Sequence, residues 1–265
     1  MTSINIKSTE KRKIIVHVHF FKNAGSTVDF ILRNNFGGSM IGYEGPHPWS
    51  VLQSEEVVHY IIHNSDIKVL TSHQAILLKN EYLFNLKIFT LFFLRHPIDR
   101  VGSIYSFKKR LPDNSLRSKT TSLKEFVEWR LSDDGGIVIN NFHTLRLSSA
   151  LEHTKDPRKI RSNDTHLAEA KKTLKDSPFF GLVERFDESI ILMREYLNDD
   201  FPELNYEYDK LNVSPDRNKD INSRIADIRN ELGEPLYKKL LAHNAHDLEL
   251  YHYGQSLFQN RIKEW

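Results

Sequence analysis

The sequence predicts an α/β fold in which helices flank a central parallel sheet, and three observations predict it. Lys13–Phe21 (KIIVHVHFF) is a β-branched and aromatic run of strand length, followed by a turn and the helical pattern Ser26–Asn35. Lys87–Leu94 (KIFTLFFL) is almost continuously apolar, as a strand covered on both faces is. Pro97 follows it at a first helical turn, and Ile98, Val101, Ile104 and Tyr105 recur behind it at helical spacing. Two strand-turn-helix units of this kind are joined most simply as parallel strands with helical crossovers.

The remaining elements extend this pattern. Ile67–Ser72 (IKVLTS) is predicted as a strand and Gln74–Phe84 as the helix after it, so that the sheet carries Ile14–Phe21, Val69–Ser72 and Phe89–Leu94. Ser122–Leu131, Val138–Leu151 and Leu167–Leu174 are predicted helices, separated by polar loops at Ser132–Gly136 and His153–Thr165. Phe179–Val183 (FFGLV) returns to strand character and leads into the amphipathic Glu184–Leu197, with Phe186, Ile190, Met193 and Leu197 on one face. Leu236–Phe258 reads as one long closing helix. No repeat, coiled coil or composition break divides the 265 residues, so one domain is expected over 1–265, with residues 1–13 as a polar tail.

Composition narrows the function classes. Apolar residues make up 39% and charged residues 27%, the balance of a globular protein with a sizeable core. The absence of cysteine excludes disulfides, thiolate metal sites and cysteine nucleophiles, and makes a reducing cytoplasm the expected location. No apolar stretch reaches the ~20 residues of a membrane span. The segment 1–13 carries Lys7, Lys11, Arg12 and Lys13 but no apolar signal core. Lys and Arg outnumber Asp and Glu by only 37 to 35, so bulk charge does not indicate a nucleic-acid partner.

Two loops carry candidate chemistry. In Lys22-Asn23-Ala24-Gly25-Ser26-Thr27 a glycine and two hydroxyls open a helix directly after a buried strand, where backbone N–H groups and the helix dipole attract an anion. Lys22 adds a full charge, but it lies three residues before Gly25, whereas a Walker P-loop sets lysine immediately before Ser/Thr. An ordinary capped helix beside a solvated lysine explains this loop alone. In Leu94-Arg95-His96-Pro97-Ile98-Asp99-Arg100-Val101-Gly102-Ser103-Ile104-Tyr105, Arg95 ends a strand and Ser103 lies about two turns into the next helix. An ion pair from Arg95 to Asp99 explains those residues singly, but not both loops on one sheet edge.

At this point the chain resembles the sulfotransferases that use 3'-phosphoadenosine 5'-phosphosulfate (PAPS), most closely the branch with the heparan sulfate 2-O- and 6-O-sulfotransferases and bacterial relatives. HFFKNAGSTV is similar to the family's 5'-phosphosulfate loop H-x-P-K-x-x-G-[ST]-[ST], and LRHPIDRVGSIY to its 3'-phosphate segment R-x-P-x-x-R-x-x-S-x-Y. Asn140–Arg146 (NNFHTLR) is similar to an N-x-Q-x-x-R helix of that branch, and GLVERFDESI to its G-x-x-E-x-[FL]-x-x-[ST] step. The chain departs from the pattern at Phe21, where proline is usual, and at His143, where glutamine is. Neither departure removes a charge from the donor site, but the second leaves open whether Asn141 and Arg146 face the acceptor or only pack.

The resemblance implies a P-loop-like strand-loop-helix nucleotide site and assigns roles. PAPS is the expected co-substrate and a hydroxyl, possibly on a glycan, the acceptor. Lys22 would steady charge on the bridging oxygen, the amides from Asn23 to Thr27 (Asn23, Ala24, Gly25, Ser26, Thr27) would hold the 5'-phosphate, and Arg95 with Ser103 the 3'-phosphate. His73, in Leu70-Thr71-Ser72-His73, matches the family's base at a strand's carboxyl end. No metal is expected, since no D-x-D or Walker B partner is present. His17 and His19 form a metal pair on paper and read more simply as strand residues. Leu211–Arg217 resembles a segment that folds over the nucleotide, and the charges at Lys155–Arg161 and Lys171–Lys175 fit either an anionic acceptor or a solvated face. Two rivals remain: a small-molecule kinase with the wrong lysine spacing, and a non-catalytic nucleotide- or glycan-binding module that needs neither Lys22 nor His73.

Overall fold

A computed structural model describes residues 11–78, 82–83, 85–110, 122–154, 156–208 and 220–264. The segment at Leu211–Arg217 and Lys155 lie outside the described residues. The chain enters strand β1 (Arg12–Val18), helix α1 (Gly25–Phe36), β2 (Met40–Gly42), α2 (Ser54–His63), β3 (Val69–Ser72), β4 (Tyr82–Leu83) and β5 (Leu86–Leu91). These strands form one sheet in the order β2-β3-β1-β5-β4, parallel except for the edge pair β4–β5. A second, two-stranded parallel sheet pairs β6 (Phe93–Leu94) with β7 (Gly181–Leu182).

The helical half begins with α3 (Pro97–Arg110) and α4 (Leu123–Arg130) and continues with α5 (Phe142–Leu147), α6 (Asp164–Asp176) and α7 (Phe186–Asn198). It closes with α8 (Ile221–Leu232), α9 (Glu234–His243) and α10 (Ala245–Lys263). One core surrounds the sheet, where Ile14, Ile15, Val16 and Val18 are fully buried between α1, α2 and the later helices. A second joins Ile98, Val101 and Ile104 of α3 to Phe126, Val127 and Ile228. No described helix is long and apolar enough to cross a membrane.

Several boundaries differ from the prediction, each for a local reason. β1 starts inside the predicted tail, because the Arg12 guanidinium donates to the carbonyls of Ile61, Asn64 and Ile67. Over its described residues, 74–78 and 82–83, the predicted helix Gln74–Phe84 does not form. Leu52 bridges Ala75, donating its N–H to Gln74 C=O and accepting Ile76 N–H, while the Gln74 side chain ties Gly45 N–H and His47 C=O. Lys87–Leu94 breaks at Phe92, where the chain leaves the main sheet to pair with Gly181. The predicted helix Val138–Leu151 shrinks to Phe142–Leu147 plus a 3-10 turn, Ser149–Leu151. Leu236–Phe258 is two helices, parted at Asn244, whose side chain caps Leu240 C=O and reaches Ile139 C=O.

The topology brings the motif residues to one edge. Lys22 follows the carboxyl end of β1, His73 that of β3, and Arg95 that of β6, immediately beyond β5. In open α/β sheets this is the side on which ligand crevices form.

Candidate active site

The loop between β1 and α1 is held in an uncommon shape. Lys22 (φ 65°) and Ala24 (φ 60°) both sit in the left-handed region, which costs a non-glycine residue roughly 1–2 kcal/mol each. Neighbours impose it: Arg100 Nε donates to Phe21 C=O at 2.9 Å and Arg95 Nη1 to Lys22 C=O at 3.0 Å. Asn23 Nδ2 bonds Phe93 C=O at 2.5 Å. With those carbonyls engaged, the loop turns into the start of α1, whose first amides have no partner within the helix. Asn23 N–H and Thr27 N–H are used by Phe20 C=O and Ala24 C=O, so the amides of Ala24, Gly25 and Ser26 form the cradle.

Gly25 is required by close approach. A Cβ there would lie 2.0 Å from Cδ2 of His19. Gly25→Ala is therefore expected to lose about 1–3 kcal/mol of stability in urea unfolding, as overpacked sites do. Gly38→Ala, where a Cβ meets nothing within 4 Å, should stay near wild type.

Lys22, Ala24, Gly25, Ser26, Thr27, His73, Arg95 and Ser103 line one cleft of about 500 Å³. Asn23 does not. Its buried side chain bonds Phe93 C=O and, at 2.8 Å, the Nε2 of His143, so it bolts the loop to the interior. His143 Nε2 thus accepts, and its Nδ1 faces Asp247 Oδ2 at 3.4 Å. Asp247 also takes the N–H groups of His143 and Thr144, and its own N–H donates to Asn141 Oδ1. Asn141 is therefore scaffold. Arg146 is too: fully enclosed, with burial pushing it down to about 10, it donates to the carbonyls of His73 and Ala75 and fixes the turn beneath the histidine.

Arg95 makes its ion pair with Asp99 (Nε to Oδ2, 2.8 Å) and lines the cleft as well. Asp99 also receives Arg224 Nε at 2.6 Å, from α8. Burial would raise the Asp99 carboxyl, but the two arginines hold it below the usual range. Ser103 stands one turn beyond Asp99 on the same face of α3. Arg224 joins the cleft from 125 residues away, and its sequence gave no sign of it. Within GLVERFDESI, Glu184 accepts His96 N–H and the Tyr251 hydroxyl, and Ser189 ties Leu182, so this step braces the Arg95 turn.

Beside the loop, His17 and His19 project from one face of the first strand and its extension toward Asp29 of α1. His17 Nδ1 lies 2.7 Å from Oδ1 and His19 Nδ1 3.0 Å from Oδ2, and the Thr71 hydroxyl donates to Oδ1 at 2.8 Å. These three side chains bring ligand-type atoms within 4.8 Å of one another, and satisfy each other as hydrogen bonds. Burial pushes the His19 imidazole down to about 4 against the pull of Asp29, so it is neutral at pH 7. Its ring stacks on His73 with centroids 4.0 Å apart.

Three cations of the predicted basic runs are paired with acids. Lys171 pairs with Glu249, Lys172 with Asp176 and Arg158 with Asp156.

A mainly parallel sheet with a lysine-bearing loop, an arginine and a histidine at one carboxyl edge defines an α/β protein with a cation-lined cleft. The chain belongs to the sulfotransferase family, whose profile it matches over residues 8–254. It is also 34% identical over 248 residues to an Archaeoglobus fulgidus protein described as uncharacterized, with 91% of this chain and 95% of that protein covered. Membership supports sulfuryl transfer in general, and with it a transferase.

Proposed function

We propose that the protein transfers a sulfuryl group from PAPS to a carbohydrate hydroxyl and releases 3'-phosphoadenosine 5'-phosphate. The observation that carries this reading is the one cleft lined by Lys22, His73 and Arg95, which follow three different strands, and by Ser103 of α3. The Ala24–Ser26 amides would receive the 5'-phosphate, and Arg95, Ser103 and the neighbouring Arg224 the 3'-phosphate. Lys22 would meet charge growing on the bridging oxygen, and His73 would take the acceptor's proton. Sulfuryl transfer is close to phosphoryl transfer, in which positioning and charge stabilisation do most of the work. The carbohydrate acceptor rests on the likeness to the heparan sulfate branch.

Calorimetry with 3'-phosphoadenosine 5'-phosphate, ADP and AMP tests the donor. A strong preference for the 3'-phosphorylated nucleotide is expected, and equal or better binding of ADP would favour a kinase. Because Arg95 also braces Lys22 and Asp99, Ser103→Ala is the cleaner probe of recognition. It should weaken 3'-phosphoadenosine 5'-phosphate roughly 10- to 100-fold, from about 1.5–3 kcal/mol for a charge-assisted hydrogen bond. Adenosine 5'-phosphosulfate should bind nearly unchanged, and equal losses for both nucleotides would assign Ser103 to folding instead.

A further inference from the structure

The imidazole of His73 is held by a carboxylate. Its Nδ1 lies 2.9 Å from Glu44 Oε1, the same oxygen accepts the His73 backbone N–H at 2.7 Å, and Glu44 Oε2 accepts the Ser72 hydroxyl at 3.2 Å. Glu44 stands two residues beyond β2, which runs parallel to β3 and pairs Gly42 with Thr71, so the sheet register itself delivers it to Ser72 and His73. Burial would raise the Glu44 carboxyl, but the hydrogen bonds from His73 and Ser72 keep it below its ordinary value. An ionised carboxylate can only accept, so the proton must sit on Nδ1 and the lone pair on Nε2.

We propose that Glu44 is the positioning residue that fixes His73 in the Nδ1–H tautomer and presents the Nε2 lone pair to the cleft. The catalytic consequence rests on the function proposed above. In that step the acceptor's hydroxyl proton passes to Nε2 as its oxygen bonds to sulfur. The bond from sulfur to the bridging oxygen breaks, and its electron pair leaves with 3'-phosphoadenosine 5'-phosphate. Glu44 exchanges no proton and steadies the imidazolium that forms, as the carboxylate of a catalytic triad does. Both of its oxygens are already engaged by Ser72 and His73, so it is not the base itself.

Glu44→Leu keeps the bulk and removes the acceptor, so nothing then holds the proton on Nδ1. Long-range proton–nitrogen NMR of the full chain should show His73 as Nδ1–H in wild type and Glu44→Asp, and shifted toward Nε2–H in Glu44→Leu. In turnover, Glu44→Leu should lose roughly 10²–10⁴-fold in kcat with donor affinity unchanged. It should cost nothing further when combined with His73→Ala. The groups facing the imidazole are Glu44, His19 with Asp29 behind it, and Arg146 at the carbonyl. Of these only Glu44 changes, so the acidic limb of the pH–rate profile should move to lower pH. A wild-type His73 in the Nε2–H form, a tautomer indifferent to Glu44→Leu, or an equal rate loss in the His73→Ala background would each overturn the proposal. A wild-type protein that transfers no sulfuryl group would instead sink the donor and acceptor reading, while the NMR comparison still decides the role of Glu44.

Discussion

His73→Ala is expected to fold, to bind 3'-phosphoadenosine 5'-phosphate as wild type does, and to transfer sulfuryl groups roughly 10²–10⁴-fold more slowly, the usual contribution of a positioned base. The fold should survive because the His73 side chain is about half exposed, and the contacts securing its turn are backbone ones, to Arg146 and Glu44. Donor binding should survive because the cradle amides, Arg95 and Ser103 lie on other elements. The acidic limb of the pH–rate profile should vanish in the residual activity. His153→Ala should reproduce none of this, since that residue is exposed at the far side of the Gln53 contact. His143→Ala should show a different defect, a loss of stability, because it removes the acceptor of Asn23 and leaves Asp247 short of a partner. A folded His73→Ala protein with wild-type turnover and pH profile would move the base elsewhere, and His19 is the nearest candidate. Glu184 is less suited: burial raises its carboxyl, but His96 N–H and Tyr251 already occupy both oxygens.

Elements whose structure is set by their own residues were legible in the sequence. The run KIIVHV needs burial on both faces, and Pro97 opens a helix wherever its strand ends, so β1, α1, β5 and α3 stand close to where periodicity put them. The strand ends then fix the cleft edge, and this is why Lys22, His73, Arg95 and Ser103 were found together. Long-range contacts defeated the same reasoning elsewhere. Gln74–Leu78 has an adequate helical pattern, yet pairing with Leu52 and the Gln74 side-chain bonds to Gly45 and His47 outweigh it. Asn23 reads as a loop amide, and only a partner 120 residues away, His143, makes it a buried bolt. Glu44 was missed because β2 is three residues long, too short for alternation to show. Arg224 was missed because its anchor, Asp99, is in a different helix.

Lys22→Ala is expected to lower kcat roughly 10²–10³-fold, the scale of a lost donor to developing negative charge, with a much smaller change in donor affinity. The comparison is structurally clean. Lysine at φ 65° and alanine at φ 65° carry the same backbone cost, and the carbonyl that Arg95 holds is unchanged, so the loop should keep its shape. What is lost is the ammonium, which sits 4.5 Å from the centre of the Phe107 ring at the wall of the cleft. A half-buried contact of that kind is worth about 0.5–2 kcal/mol, so thermal unfolding should shift modestly. In the proposed ground state the backbone cradle, Arg95 and Ser103 would share the nucleotide's charge, whereas the bridging oxygen would become strongly negative only as sulfur departs. The lysine's contribution should therefore appear in the rate. Lys22→Arg should recover only part of it, because a planar guanidinium cannot replace a compact ammonium at a single oxygen. A Lys22→Ala protein with unchanged kcat and only a raised donor KM would make the lysine a clamp on the bound nucleotide, and the stabilisation of the leaving group would then have to come from the amides of Ala24, Gly25 and Ser26.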